Sequence, residues 1–267
     1  MSPLSVQRDV AHSLHASGGT QTLTRALDII DAVAGGTTDL PGLARQLSMT
    51  RSTAHRLAAA LVARQYLRFT PRQGYRLGPR LLELGFKSQH DTPLPRVARP
   101  HLEALADATE DTVHLGVLDG DRARYLDKVA GRRRIEIGSR IGELHPIWST
   151  GLGKALILDK DEAAWRRFFD LGMVRAAQRE RLFIDWLARM REYAAHDYAF
   201  DLEENEFAIR CVAAPIRDGS RRIIAALSVS SALQYMDDAR MRSLVAVVQA
   251  TSSAISRELG WSSGTPG

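Results

Sequence analysis

The chain has 267 residues, with 36 Lys and Arg against 31 Asp and Glu, 45% hydrophobic residues and one cysteine. That composition excludes a disordered chain and a disulfide scaffold, and leaves room for one large domain or two modest ones. No run of about 18 apolar residues is present to span a bilayer, and the N-terminus MSPLSVQRDVAHSLHASGG lacks the apolar stretch of a secretory signal, so a cytoplasmic protein with no membrane partner is expected.

The charge is unevenly spread. Residues 1–90 hold 11 Lys and Arg against 5 Asp and Glu, whereas residues 91–267 hold 25 against 26. Between Asp39 and Glu83 there is no acid, while eight arginines from Arg45 to Arg80 fall inside that interval. A solvated surface normally mixes both signs, because like charges repel. An all-positive N-terminal segment suits a phosphate backbone; a merely basic surface is the plainer alternative.

Residues 1–20 carry no periodicity and read as a disordered tail. From Thr22, Leu23, Ala26, Leu27, Ile30 and Val33 recur at helical steps until Gly35-Gly36. Asp39 is placed to cap a short second helix through Leu43 and Leu47, and Thr50 to cap a third from Arg51 to about Arg64. Tyr66–Phe69, a turn from Pro71 to Gly74, and Tyr75–Leu77 form a hairpin. Three short helices followed by a hairpin make a winged helix-turn-helix over residues 21–78, which projects the third helix toward a major groove. The residues assigned to double-stranded operator DNA are Arg25, Thr50, Arg51, Ser52, Thr53, His55, Arg56, Arg68 and Arg76. Hydroxyls suit phosphates, and Arg or His suits phosphates or base edges. A winged helix that binds protein is the competing possibility.

A linker helix is expected over 79–93, then a second domain over 94–260 and a tail over 261–267. The second domain opens with a helix from Leu94 to Thr109. Strands are expected at Thr112–Leu118, Ala123–Val129, Arg133–Ile137, Cys211–Ile216 and Arg222–Ser230. A helical middle spans Ser149–Tyr193, and a last helix runs from Asp237 to Leu259. Hairpins make the sheet antiparallel, so the fold class is α+β.

The wording along the chain resembles the IclR family of bacterial transcriptional regulators. The matching blocks are Thr22–Ile30, Arg51–Leu57, Tyr75–Gly78, Gly151–Ala155, Cys211–Ile216 and Ala225–Ser230. The resemblance implies a GAF-like second domain that binds a small organic acid effector, and a homo-oligomer, dimer or dimer of dimers, on two-fold related half-sites. Two departures stand out. The family usually has glycine where Gln65 stands, and another shortly before Cys211, where Ala208-Ile209-Arg210 has none. A left-handed backbone at Gln65 would cost about 1 kcal/mol.

In Ile223–Ser230, alternation puts Ile223, Ala225, Leu227 and Val229 on one face and Ile224, Ala226, Ser228 and Ser230 on the other. Buried hydroxyls need partners, either neighbouring backbone or a polar ligand. By resemblance Ser228, Ser230, Cys211 and Asp201 contact the effector, together with Gly151 and Leu152. The small residues before Gly151 would also expose amides suited to a carboxylate, with a tight packed turn as the alternative. Asp201 would repel an acid group, and is assigned to a hydroxyl or a water of the ligand. By the same resemblance His145 and Trp148 line the approach, His145 to pair with charge and Trp148 to stack on a ring or a sugar face, with simple packing as the alternative for each. Cys211 is a small buried hydrophobe. No GxSxG, HExxH, Walker A or GxGxxG pattern occurs, so no catalytic residue, metal or cofactor is expected. A metabolite-processing enzyme fused to a DNA-binding module is the alternative.

Overall fold

The computed structural model describes residues 18–91, 93–134, 137–172 and 179–262. Residues 1–17 and 263–267, most of the two expected tails, lie outside that set. The chain divides into two compact units at residue 91.

The first unit holds α1 (Gly18–Ala34), α2 (Leu40–Gln46), α3 (Arg51–Ala63), a hairpin of β1 (Leu67–Thr70) and β2 (Gly74–Leu77), and α4 (Pro79–Asp91). Helix α1 begins inside the stretch read as tail. Asp39 caps α2 by accepting from the Gly42 amide at 2.7 Å, and Thr50 caps α3 by accepting from Thr53 at 3.2 Å. These caps satisfy amides that a helix start leaves unpaired. Helix α3 buries Ala54, Leu57 and Ala58, a helical spacing that turns its other side outward. Leu57 and Ala58 pack with Ile29, Leu43, Leu67 and Tyr75 in one small core.

The second unit is a six-stranded antiparallel sheet of order β5-β4-β3-β8-β7-β6, formed by β3 (Thr112–Asp119), β4 (Arg122–Val129), β5 (Leu144–Pro146), β6 (Ala199–Leu202), β7 (Ile209–Arg217) and β8 (Ile223–Ala232). One face packs on α5 (Leu94–Thr109) and α9 (Asp238–Glu258) through Leu102, Leu105, Leu227, Val229, Val248 and Ile255. The other packs on α6 (Gly151–Ala155), α7 (Glu162–Gly172) and α8 (Arg179–His196) through Leu152, Phe169, Trp186 and Met190.

Three expectations are corrected. The strand expected at Arg133–Ile137 is absent where described: residues 132–134 are bends, and 135–136 lie outside the described residues. Arg133 is drawn to the end of α5 by Asp111 at 3.3 Å and the Thr109 carbonyl at 3.2 Å. The place beside β4 goes to β5, pairing Ala123 with His145; three residues ending in proline show no alternation to read. Strand β6 is absent from the expected strands, yet it forms one edge of the sheet and pairs Asp201 directly with Cys211. Finally, Ile223 packs with the α6 face and Ile224 with the α9 face. A bulge between Ile216 and Arg217 shifts the register there, which reverses the alternation.

Candidate functional site

On the first unit, Arg51, Ser52, His55 and Arg56 are exposed on α3. The hydroxyls of Thr50 and Thr53 are 2.9 Å apart and tied to the helix cap, so these two residues shape the helix start as well as lining it. On the wing, Arg68 and Arg76 are exposed and directly paired across the hairpin. Like charges opposite one another destabilise a hairpin, so the pair suits a polyanion. Exposed Phe69 and Arg72 border, with His55, a groove of about 740 Å³ between α3 and the wing. Arg25 is half-buried on α1, a different element from helix and wing. A hydrogen bond from the Tyr75 amide to the Thr38 carbonyl, 2.7 Å, ties the wing to the loop before α2.

On the second unit, pairing sets Asp201, Cys211, Ser230 and Thr112 in one row across β6, β7, β8 and β3. The next row runs Ala199, Ala213, Ser228, His114 and Lys128. Paired residues share a face, so four of the expected effector residues converge. Asp201, Cys211, Ser228 and Ser230 are all buried. The Cys211 thiol faces both serines, and burial pushes it up to about 12, so it is no thiolate. A thiol is a weak donor, and the Ser228 hydroxyl has no well-formed hydrogen bond. Burial raises Asp201 to about 6 against the pull of Lys154. The Asp201 carboxylate accepts from the Glu204 amide at 2.9 Å.

Gly151 joins this cluster, since a Cβ there would lie 2.6 Å from the Cys211 sulfur. The Leu152 side chain packs in the core against Gly116. His145 stacks on Tyr125 with centroids 4.2 Å apart, and Tyr125 lies 4.7 Å from His114. The His145 Nε2 is 3.6 Å from the Glu143 carboxylate, too far for a hydrogen bond. Trp148 turns instead toward α7, against Gly172 and Phe169.

Sequence reasoning missed His114 and Lys154. His114 is buried, its Nε2 is 2.7 Å from the Ser139 hydroxyl, and its Nδ1 lies 3.5 Å from Ser230. Burial first, then Lys128, depress it to about 3, so the ring is neutral. Its alternation with Thr112 in Thr-Val-His was the available signal. Lys154 is buried, donates to the Phe200 carbonyl at 2.7 Å and pairs with Glu204; only the fold brings those partners together. Among the described residues no group of three or more His, Cys, Asp or Glu is arranged to hold a metal, and no helix is long and apolar enough to cross a membrane.

Comparison with known proteins decides the family. Residues 22–71 match the IclR helix-turn-helix domain, and residues 86–257 match the bacterial transcriptional regulator IclR C-terminal domain. The chain belongs to the IclR family of bacterial transcriptional regulators. It is 34% identical over 250 residues to the HTH-type transcriptional regulator XynR of Escherichia coli K12, covering 90% of this chain and 98% of that one. It is 34% identical over 247 residues to the regulator BhcR of Paracoccus denitrificans, covering 88% and 86%. Both are named as regulators rather than enzymes. The crystal structure of the Agrobacterium tumefaciens repressor BlcR shares the fold, with a TM-score of 0.70 at 24% identity over 90% of this chain and 97% of that one. Within this IclR-family chain both departures from the family's glycines fall at left-handed backbone: Gln65 has φ 62° and Ala208 φ 61°.

Proposed function

We propose that this IclR-family regulator is effector-responsive: α3 and the wing bind operator DNA, and the Asp201–Cys211–Ser230 row with Ser228 and Gly151 binds a small organic acid, a sugar acid or an aromatic acid. The observation that carries the effector site is the Ser228 hydroxyl, fully buried in a sheet core with no well-formed hydrogen bond and only the weakly bonding Cys211 thiol beside it. Leaving such a group unmet costs about 1–3 kcal/mol, which a ligand hydroxyl or carbonyl would recover. His145 and Tyr125 line the approach, whereas Trp148 supports α7. The protein acts as a dimer or dimer of dimers, matching two-fold related half-sites. The effector acts by binding one arrangement of α6 and β8 more tightly than another, which alters dimer geometry and half-site spacing.

The test is fluorescence anisotropy on the DNA upstream of the protein's own gene, across a salt series, with a panel of sugar, keto and aromatic acids. Binding that weakens steeply with salt and shifts with one acid is expected. Ser230→Leu should abolish the acid's effect and keep DNA affinity; loss of both would show the effector site to be misplaced.

A further inference from the structure

Lys154 is fully buried, where an ammonium is costly unless it is paired. It stands three residues after Gly151 on α6, on the same side of the helix. Its partners are the Phe200 carbonyl of β6 and the Glu204 carboxylate of the turn that follows β6. Arg189 reaches the same carboxylate from α8 at 2.8 Å, and its Nε is buried without a hydrogen bond among the described residues. A buried ion pair kept for stability alone is commonly matched or bettered by apolar packing. This one is incompletely bonded, and it joins α6, α8 and the turn at one point.

The turn, residues 203–208, has no apolar anchor. No side chain from Leu202 to Arg210 is buried, and Phe207 is 89% exposed. Its base is fixed by the Glu203–Arg210 ion pair and by the Ala208 carbonyl, which accepts from the Leu233 amide. Both base residues take left-handed backbone without being glycine, at φ 66° and 61°. Its crest is held by the Glu204 ion pairs and by three hydrogen bonds. The Glu204 and Asn205 amides donate to the Asp201 carboxylate at 2.9 and 3.4 Å, and the Ser149 hydroxyl donates to Asn205 at 3.2 Å. The other walls around Asp201, Cys211 and Ser228 are a hydrogen-bonded sheet and an apolar core that includes Leu152, Phe169 and Trp186. All three polar residues are buried, so a ligand reaches them only when a wall moves. Segments with few buried apolar contacts open first.

We propose that Lys154 is a positioning residue: through Glu204 it clamps the 203–208 turn shut over Asp201 and Cys211, and a ligand of that cluster enters when the pair opens. The clamp bears on regulation through the reading of this cluster as the effector site. Lifting the crest also takes the two turn amides off the Asp201 carboxylate, which frees its lone pairs for a ligand hydroxyl. Opening the pair thus both admits the ligand and releases an acceptor for it.

Cys211 reports on the clamp. It is the one cysteine of the chain, lies buried against Gly151 and is pushed up to about 12, so it reacts only in an opened state. Alkylation of the full chain by iodoacetamide, followed at several urea concentrations below the unfolding transition, separates local opening, which is independent of urea, from global unfolding. Glu204→Gln should raise the urea-independent rate about tenfold. Lys154→Met combined with Glu204→Gln, which removes both charges and strands neither, should do the same. Arg191→Gln, which breaks the exposed Arg191–Glu162 pair between α8 and α7, should leave that rate unchanged. Equal local rates in wild type and both clamp variants would overturn the clamp and leave the effector reading standing. A rise in Arg191→Gln equal to theirs would mark general loosening and overturn it too. Gluconate and benzoate serve as ligand probes, and one that shifts operator affinity should slow alkylation of the wild type. Faster alkylation in the clamp variants that neither acid slows in the wild type would keep the clamp and remove the effector reading.

Discussion

Gly151 and Cys211 are in contact so close that one added methyl would reach 2.6 Å from the sulfur and 3.2 Å from the Asp201 amide. Neither neighbour is a flexible side-chain end: the thiol sits on a central stretch of β7 and the amide belongs to β6. Gly151→Ala should therefore destabilise the chain by about 1–3 kcal/mol through overpacking. Removing the sulfur with Cys211→Ala should reduce that cost. A double-mutant cycle by urea unfolding reads the coupling; strictly additive effects would show that the two do not meet.

Gln65 and Ala208 hold positive φ without being glycine. Replacing either by glycine removes a steric cost of about 1 kcal/mol, partly offset by the freer unfolded chain. A net gain of about 0.5 kcal/mol each is expected, seen as a rise in Tm of about 1–2 °C. A fall in Tm for both would refute the strain.

Asp201 and His114 impose opposite pH slopes. Asp201 is raised to about 6, so between its unfolded value near 4 and that pH the folded chain holds a proton that the unfolded chain has released. Its contribution to stability declines as pH rises through that window. Asp201→Asn, which keeps an acceptor for the Glu204 amide, should stabilise at pH 7 by about 1–3 kcal/mol and lose that advantage near pH 4. His114 is depressed to about 3, so the unfolded chain alone takes its proton below about 6.5, and stability is lost as pH falls from there. Urea midpoints of wild type and Asp201→Asn from pH 4 to 8 check both; a pH-independent difference between them would exclude the Asp201 assignment.

Arg68 faces Arg76 across the wing. Arg68→Gln should leave the free protein unchanged or more stable by a few tenths of a kcal/mol, while weakening operator binding. Arg56→Ala should weaken it too, and each lost phosphate contact should lower the salt slope by about 0.9. Anisotropy at several salt concentrations measures this. Unchanged slopes would remove both arginines from the interface.

Much of this protein is legible in one dimension because its determinants are local. Asp39 and Thr50 announce helix starts through side chains that bond amides three residues on, and the acid-free run from Leu40 to Leu82 is visible without a fold. The alternation of Ser228 and Ser230 likewise survives in the sheet. Strand β5, with three residues, and β6, with four, are too short to carry a period, and their places at the sheet edges come only from the partners that accept them. The bulge that exchanges Ile223 and Ile224 is a matter of register against β7. Lys154 meets Glu204 and His114 meets Ser230 across separations that no local spacing encodes. Sequence periodicity thus determined which residues face inward, and tertiary pairing decided which of them face one another, because hydrogen-bonded register between distant strands is settled by the whole core at once.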